Sequence, residues 1–104
     1  MSKIQLLETL VRRNPADPFA LYALAIELRN EERFEEARTA FSSVKQNFPL
    51  YLPNYYHLGA ELERIGDVVS AEAVYQEGIR LAEQQSDIHA RDELARALQQ
   101  IVHE

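Results

Sequence analysis

The chain has 104 residues, a length typical of one compact domain. It is 46% hydrophobic and 27% charged, enough to bury a core, and the lack of cysteine excludes disulfides, thiolate zinc sites and a catalytic cysteine. Seventeen acidic residues against eleven basic ones give a net charge of −6, which argues against nucleic-acid binding. Because no apolar run is long enough for a signal peptide or a membrane span, we expect a cytoplasmic protein with no membrane partner.

Six helices and no strands are predicted from apolar residues spaced three or four apart and from start and stop signals. Asp17 is the predicted N-cap of the second helix, with Pro18 at its first position, and Ser86 and Asp87 cap the sixth. Gly66 supplies a left-handed residue between the fourth and fifth helices. The predicted ranges are 3–13, 18–30, 34–47, 52–65, 68–84 and 88–103.

A shift of 34 residues superimposes the second and third helices on the fourth and fifth. Leu7, Phe41 and Tyr75 then share one large apolar position, while Ala25 meets Gly59 where two helices must approach closely. The identical pairs are Pro15 and Pro49, Tyr22 and Tyr56, Leu24 and Leu58, Glu27 and Glu61, Leu28 and Leu62, and Ala37 and Ala71. A 34-residue period with two helices per period is typical of helical solenoids.

On these residues the chain resembles the tetratricopeptide repeat family, in its small bacterial form. The resemblance implies an all-α fold, a right-handed α-solenoid of six helices in antiparallel pairs. It implies one domain, 1–104, with two full repeats, 18–51 and 52–85. Half-repeat capping helices flank them at 1–15 and 86–104.

Motifs for catalysis or for a bound cofactor are missing from the sequence. His57 and Glu61, like His89 and Glu93, are four residues apart and could share a helix face, but a zinc site needs three or four convergent ligands. We therefore expect neither an enzyme nor a metal or cofactor site.

Glu27 and Glu61 occupy the same repeat position, and each is predicted to make a structural ion pair or hydrogen bond. The candidate partners are Arg12, Arg13, Arg38 and Lys45.

The family resemblance implies a concave groove, lined by the first helix of each repeat, that binds a peptide or a helical segment of a partner protein. Tyrosine suits such a surface, and the alternative is that both groove tyrosines are partly buried packing residues. The alternative is a self-associating scaffold, such as a homodimer formed through the groove or through an end helix bearing Ile4 and Leu6. The implied groove residues are Tyr22, Ile26, Arg29, Tyr56, His57, Ala60, Glu63 and Arg64, with Pro53 at the rim.

Overall fold

The computed structural model describes residues 1–102, and over this range the chain is all-α. Four predicted helices have the predicted bounds, whereas α4 begins one residue later and ends one residue earlier than expected. The predicted end of the last helix, His103, lies outside the described residues. The helices are α1 Lys3–Arg13, α2 Pro18–Asn30, α3 Phe34–Asn47, α4 Pro53–Arg64, α5 Val68–Gln84 and α6 Ile88–Val102.

Local side-chain caps explain where most helices begin. Ser2 and Gln5 form a reciprocal capping box at α1, which the sequence reading missed. The residues that cap the starts of α2, α5 and α6 are Asp17, Asp67 and Asp87, respectively. One carboxylate oxygen of each accepts a backbone N–H two or three residues later, at 2.9 to 3.2 Å. These bonds satisfy N–H groups that have no partner inside the helix.

The helices form two compact units, Met1–Pro49 with α1 to α3 and Leu50–Glu104 with α4 to α6. In the first unit α2 packs against α1 and α3, and in the second α5 packs against α4 and α6. The fully buried side chains of the first core are Ala25, Ala37, Phe41 and Val44. The most deeply buried apolar side chains of the second are Ala71, Tyr75, Ala82, Leu94 and Leu58.

The turn between the two helices of each repeat uses one left-handed residue. Gly66 is left-handed as predicted, with φ +82°, and Glu32, 34 residues earlier, has φ +63°. This backbone conformation is strained for glutamate because its Cβ crowds the carbonyl oxygen. Glycine has no Cβ and adopts the conformation without strain.

Candidate functional site

An open cleft of about 460 Å³ lies between α1 and α2 in the first unit. Its rim includes Leu6 and Phe19, which are 49% and 60% exposed. Of the predicted groove residues on α2, Tyr22 and Ile26 line this cleft, and Arg29 does not. The lining residues are Lys3, Leu6, Leu7, Phe19, Tyr22, Ala23, Ile26 and Glu27.

Tyr22 is half-buried on α2. Its ring lies edge-on to Phe41, with centroids 6.4 Å apart and the planes at 65°. Edge-to-face contact is a favoured geometry for aromatic pairs. Tyr22 is thus both a packing residue and a wall of the cleft.

In the second unit Tyr56 stands at the position of Tyr22 and has the same dual character. It is 36% exposed, and its ring centroid lies 6.4 Å from that of Tyr75. The His57 ring packs edge-on against it, with centroids 5.7 Å apart. Two predicted groove residues, Tyr56 and His57, are therefore in direct contact on α4.

Glu63, a third predicted groove residue, accepts a hydrogen bond at Oε2 from the Tyr75 hydroxyl. Burial, reinforced by this hydrogen bond, raises the pKa of Tyr75 far above its ordinary value. The Tyr75 ring lies against the backbone of Gly59, where a Cβ would come within 2.7 Å of ring atoms Cδ1 and Cζ. Glycine at that position is what lets the ring lie so close to α4.

Arg64 makes an ion pair with Glu61, at 3.1 Å between Nη2 and Oε1. The same carboxylate oxygen accepts a hydrogen bond from Arg64 Nε at 3.2 Å. Glu61 is only 4% exposed. In the first unit Glu27 pairs with Lys3, at 3.9 Å between Nζ and Oε2. The prediction of structural ion pairs is confirmed, and the partners, Lys3 on the facing helix and Arg64 one turn along the same helix, are not among the four that the sequence suggested.

The remaining predicted groove residue, Ala60, is half-buried on α4. The sequence named Leu6 as apolar surface for self-association, but Phe19 was missed, although a large apolar residue at a predicted solvent-facing position is the signal that marks such a surface. Within the described chain no three histidine, aspartate or glutamate side chains converge as a metal site would require. None of the helices within residues 1–102 combines the length and the hydropathy that a membrane span needs.

Two solved structures of a tetratricopeptide repeat domain protein from Salinibacter ruber are similar to this chain. The solution structure is 32% identical, covers 84% of this chain and 88% of that one, and has a TM-score of 0.79. The crystal structure is 31% identical, covers 84% and 97%, and has a TM-score of 0.81. The chain belongs to the tetratricopeptide repeat family. This confirms the family resemblance and the helical-repeat fold class.

A protein from Bordetella parapertussis shares the fold at 19% identity, with a TM-score of 0.82 over 99% of this chain and 90% of that one. No family model matches the chain. No curated protein matches it either.

Tetratricopeptide repeat folds are typically non-catalytic scaffolds for protein interaction. This chain has the fold of a protein-interaction module.

Proposed function

We propose that this tetratricopeptide repeat protein binds a peptide or helical segment of a partner protein through the first helix of each repeat, α2 and α4. The observation that carries the proposal is the pair of tyrosines at one repeat position. Tyr22 and Tyr56 each contact a buried aromatic ring and remain partly exposed to solvent. A ring held in this way offers a large apolar area and loses little side-chain entropy when a ligand binds.

The neighbouring side chains give each helix its own chemistry. On α2, Ile26 extends the apolar wall of the cleft and Arg29 follows at the next turn. This surface suits a segment with apolar side chains three or four residues apart and an acidic residue at one end.

On α4, His57 and Ala60 stand beside the tyrosine, followed by Glu63 and Arg64. The last two are already held by Tyr75 and Glu61. They would orient a ligand through their remaining hydrogen-bonding capacity, without first having to be ordered.

Two variants test the proposal against a library of random peptides displayed on phage. Tyr22→Ala with Tyr56→Ala removes both rings, and Ala60→Arg adds bulk on α4 while keeping every ring contact. Peptides selected on the wild type should bind each variant at least about tenfold more weakly, the equivalent of 1.4 kcal/mol. Isothermal titration calorimetry measures the change.

The ring contacts described above mean that the double variant also loses stability, so binding is compared at a temperature where circular dichroism shows every protein folded. Val69→Ala is the matched control, since it truncates an 81% exposed apolar side chain elsewhere. Selected peptides that bind both variants and the control as tightly as the wild type would place the binding surface away from α2 and α4.

A further inference from the structure

The first helix carries the same repeat positions as α3 and α5, at offsets of 34 and 68 residues. Leu7 on α1 corresponds to Phe41 and Tyr75. Those two side chains are 0% and 1% exposed, and aromatic side chains of α2 and α4, respectively, lie against them. Leu7 is only half-buried and lines the open cleft. The cleft therefore exposes the side of α1 that, in α3 and α5, is packed against the first helix of the repeat.

The last helix presents the complementary half. At a shift of 36 residues α6 aligns with α4, so Leu94 corresponds to Leu58 and Ala95 to Gly59. Leu94 is buried inside its own unit, whereas Ala95 is exposed. Because Gly59 is the residue on which the ring of Tyr75 packs, α6 exposes a small residue at the position where the second helix of a repeat would lie.

The halves of the chain that carry the two surfaces differ in charge. Residues 1–49 contain seven basic and seven acidic residues, whereas residues 50–104 contain four basic and ten acidic ones. Arg12 and Arg13 stand exposed in the last turn of α1. The cap and first two turns of α6 contain three acidic residues, Asp87, Asp92 and Glu93, against one arginine.

The two helices of a tetratricopeptide repeat are antiparallel, so a repeat built from α6 and α1 sets the start of α6 beside the end of α1. That orientation brings the acidic turns of α6 to Arg12 and Arg13. It also brings Lys3 to the end of α6, where a cation is favoured by the helix dipole. Both ends of the pairing are therefore electrostatically favourable, and only the antiparallel orientation brings the two arginines, rather than the single lysine, to the acidic turns.

We infer that α6 of one copy docks in the α1–α2 cleft of a second copy, so that two copies complete one repeat between them. Every copy has both surfaces, and the two surfaces differ, so the contact is head-to-tail and further copies can add. This goes beyond the proposed peptide binding, although Tyr22 and Ile26 belong to the same cleft and a peptide held there would compete with α6.

The test uses two variants of the full chain, one for each surface. Leu6→Glu places a charge at the half-exposed rim of the cleft, and Ala95→Glu places one on the exposed face of α6. Gln46→Glu and Gln76→Glu are matched controls, because they add the same charge at exposed positions on α3 and α5. Sedimentation velocity from about 1 µM to about 1 mM follows the mass of each protein.

We expect the wild type and both controls to gain mass with concentration without stopping at two copies, unless a closed ring forms. Each variant alone should need at least about tenfold more protein to associate. An equimolar mixture of the two variants retains one intact contact, between α6 of the Leu6→Glu copy and the cleft of the Ala95→Glu copy. The mixture should therefore form a one-to-one dimer and stop there.

A wild type that stays monomeric to about 1 mM would overturn the inference. A mass that stops at two copies, or variants that associate like the wild type, would indicate a symmetric dimer or another surface. A mixture that forms no dimer would also contradict it. The outcome is separable from that of the peptide experiment, because Leu6 and Ala95 are not among the residues proposed there.

Discussion

The two repeats fill one large core position differently. The second places Tyr75 against Gly59 and adds a hydrogen bond from the tyrosine hydroxyl to Glu63, whereas the first has Phe41 and Ala25, both fully buried, at the corresponding positions. The ring contacts to the neighbouring tyrosines have the same 6.4 Å centroid distance in both repeats. The aromatic arrangement is thus preserved while the chemistry around it changes.

The difference indicates that the positions of Gly59, Glu63 and Tyr75 act as a set. A buried hydroxyl left without a partner costs stability, so Tyr75 requires an acceptor, and Glu63 supplies it. The first repeat has Arg29 at the acceptor position, where a phenylalanine makes no such demand. Exchanging single residues between the repeats should therefore be costly, and exchanging the set should not.

The largest effect is expected for Gly59→Ala, which puts a methyl group into the ring of Tyr75. The overlap should lower the free energy of unfolding by about 2 kcal/mol, after allowance for the better helix propensity of alanine. Urea unfolding followed by circular dichroism measures the loss. Ala25→Gly is the matched change in the first repeat, and it should cost only about 1 kcal/mol through backbone entropy and a small cavity.

The combined variant Gly59→Ala, Glu63→Arg and Tyr75→Phe gives the second repeat the residues of the first. If the three positions form a set, this variant should be more stable than the sum of its single changes, by about 1 kcal/mol or more. Strict additivity in the same urea experiment would refute the set.

The ion pairs of the two repeats should differ next. Arg64→Ala leaves the nearly buried carboxylate of Glu61 without its guanidinium and should cost about 1 to 2 kcal/mol. Lys3→Ala removes a long, exposed contact to Glu27 and should cost less than about 0.5 kcal/mol. Equal losses in thermal unfolding would mean that burial does not separate the two pairs.

The stability of the protein at alkaline pH should reveal the buried tyrosines of the second repeat. Burial raises the pKa of Tyr75 and of Tyr55 above the ordinary value, so these phenols ionise more readily in the unfolded chain. Their contribution to stability is complete below about pH 10 and is lost as the pH rises further. Tyr75→Phe should therefore cost about 1 kcal/mol at neutral pH and make the loss above pH 10 shallower. Urea unfolding at neutral pH and at about pH 10.5 checks both parts. If the variant loses stability above pH 10 as steeply as the wild type, the ionisation of Tyr75 does not cause the loss.

The smallest effect is a gain. Glu32→Gly should raise the free energy of unfolding by about 0.5 kcal/mol, because glycine relieves the left-handed backbone and this gain exceeds its entropy cost. The matched change Gly66→Ala should cost about 1 kcal/mol. Differential scanning calorimetry resolves both shifts. A loss on Glu32→Gly would mean that the glutamate side chain contributes more than its backbone strain takes away.

The sequence predicted most helix ends because the signals are local. Asp17, Gly66 and Asp87 each act within three residues, so no knowledge of distant packing is needed to read them. The capping box of Ser2 and Gln5 was equally readable from its spacing and was overlooked. The left-handed Glu32 could also have been found, by carrying Gly66 back one repeat length.

The contacts between helices could not be read in the same way. The bond from Tyr75 to Glu63 joins residues twelve apart on different helices, and its existence depends on how closely α4 and α5 approach. The repeat alignment makes Tyr22 and Tyr56 equivalent, but their contacts with buried rings and their partial exposure depend on how the helices pack. The exposure of Leu6 and Phe19 likewise depends on the angle at which α1 and α2 meet.

The set formed by Gly59, Glu63 and Tyr75 has a consequence for anyone building artificial arrays from averaged repeats. Choosing the most frequent residue at each position separately can place tyrosine at the position of Tyr75 together with arginine at that of Glu63, or with alanine at that of Gly59. Such a choice mixes residues from two sets that do not fit together. Such a module would contain only common residues and still lack a hydrogen-bond acceptor or the room for a ring. Residues at these positions should be chosen together, as alternative triplets, before any module is copied into a longer array.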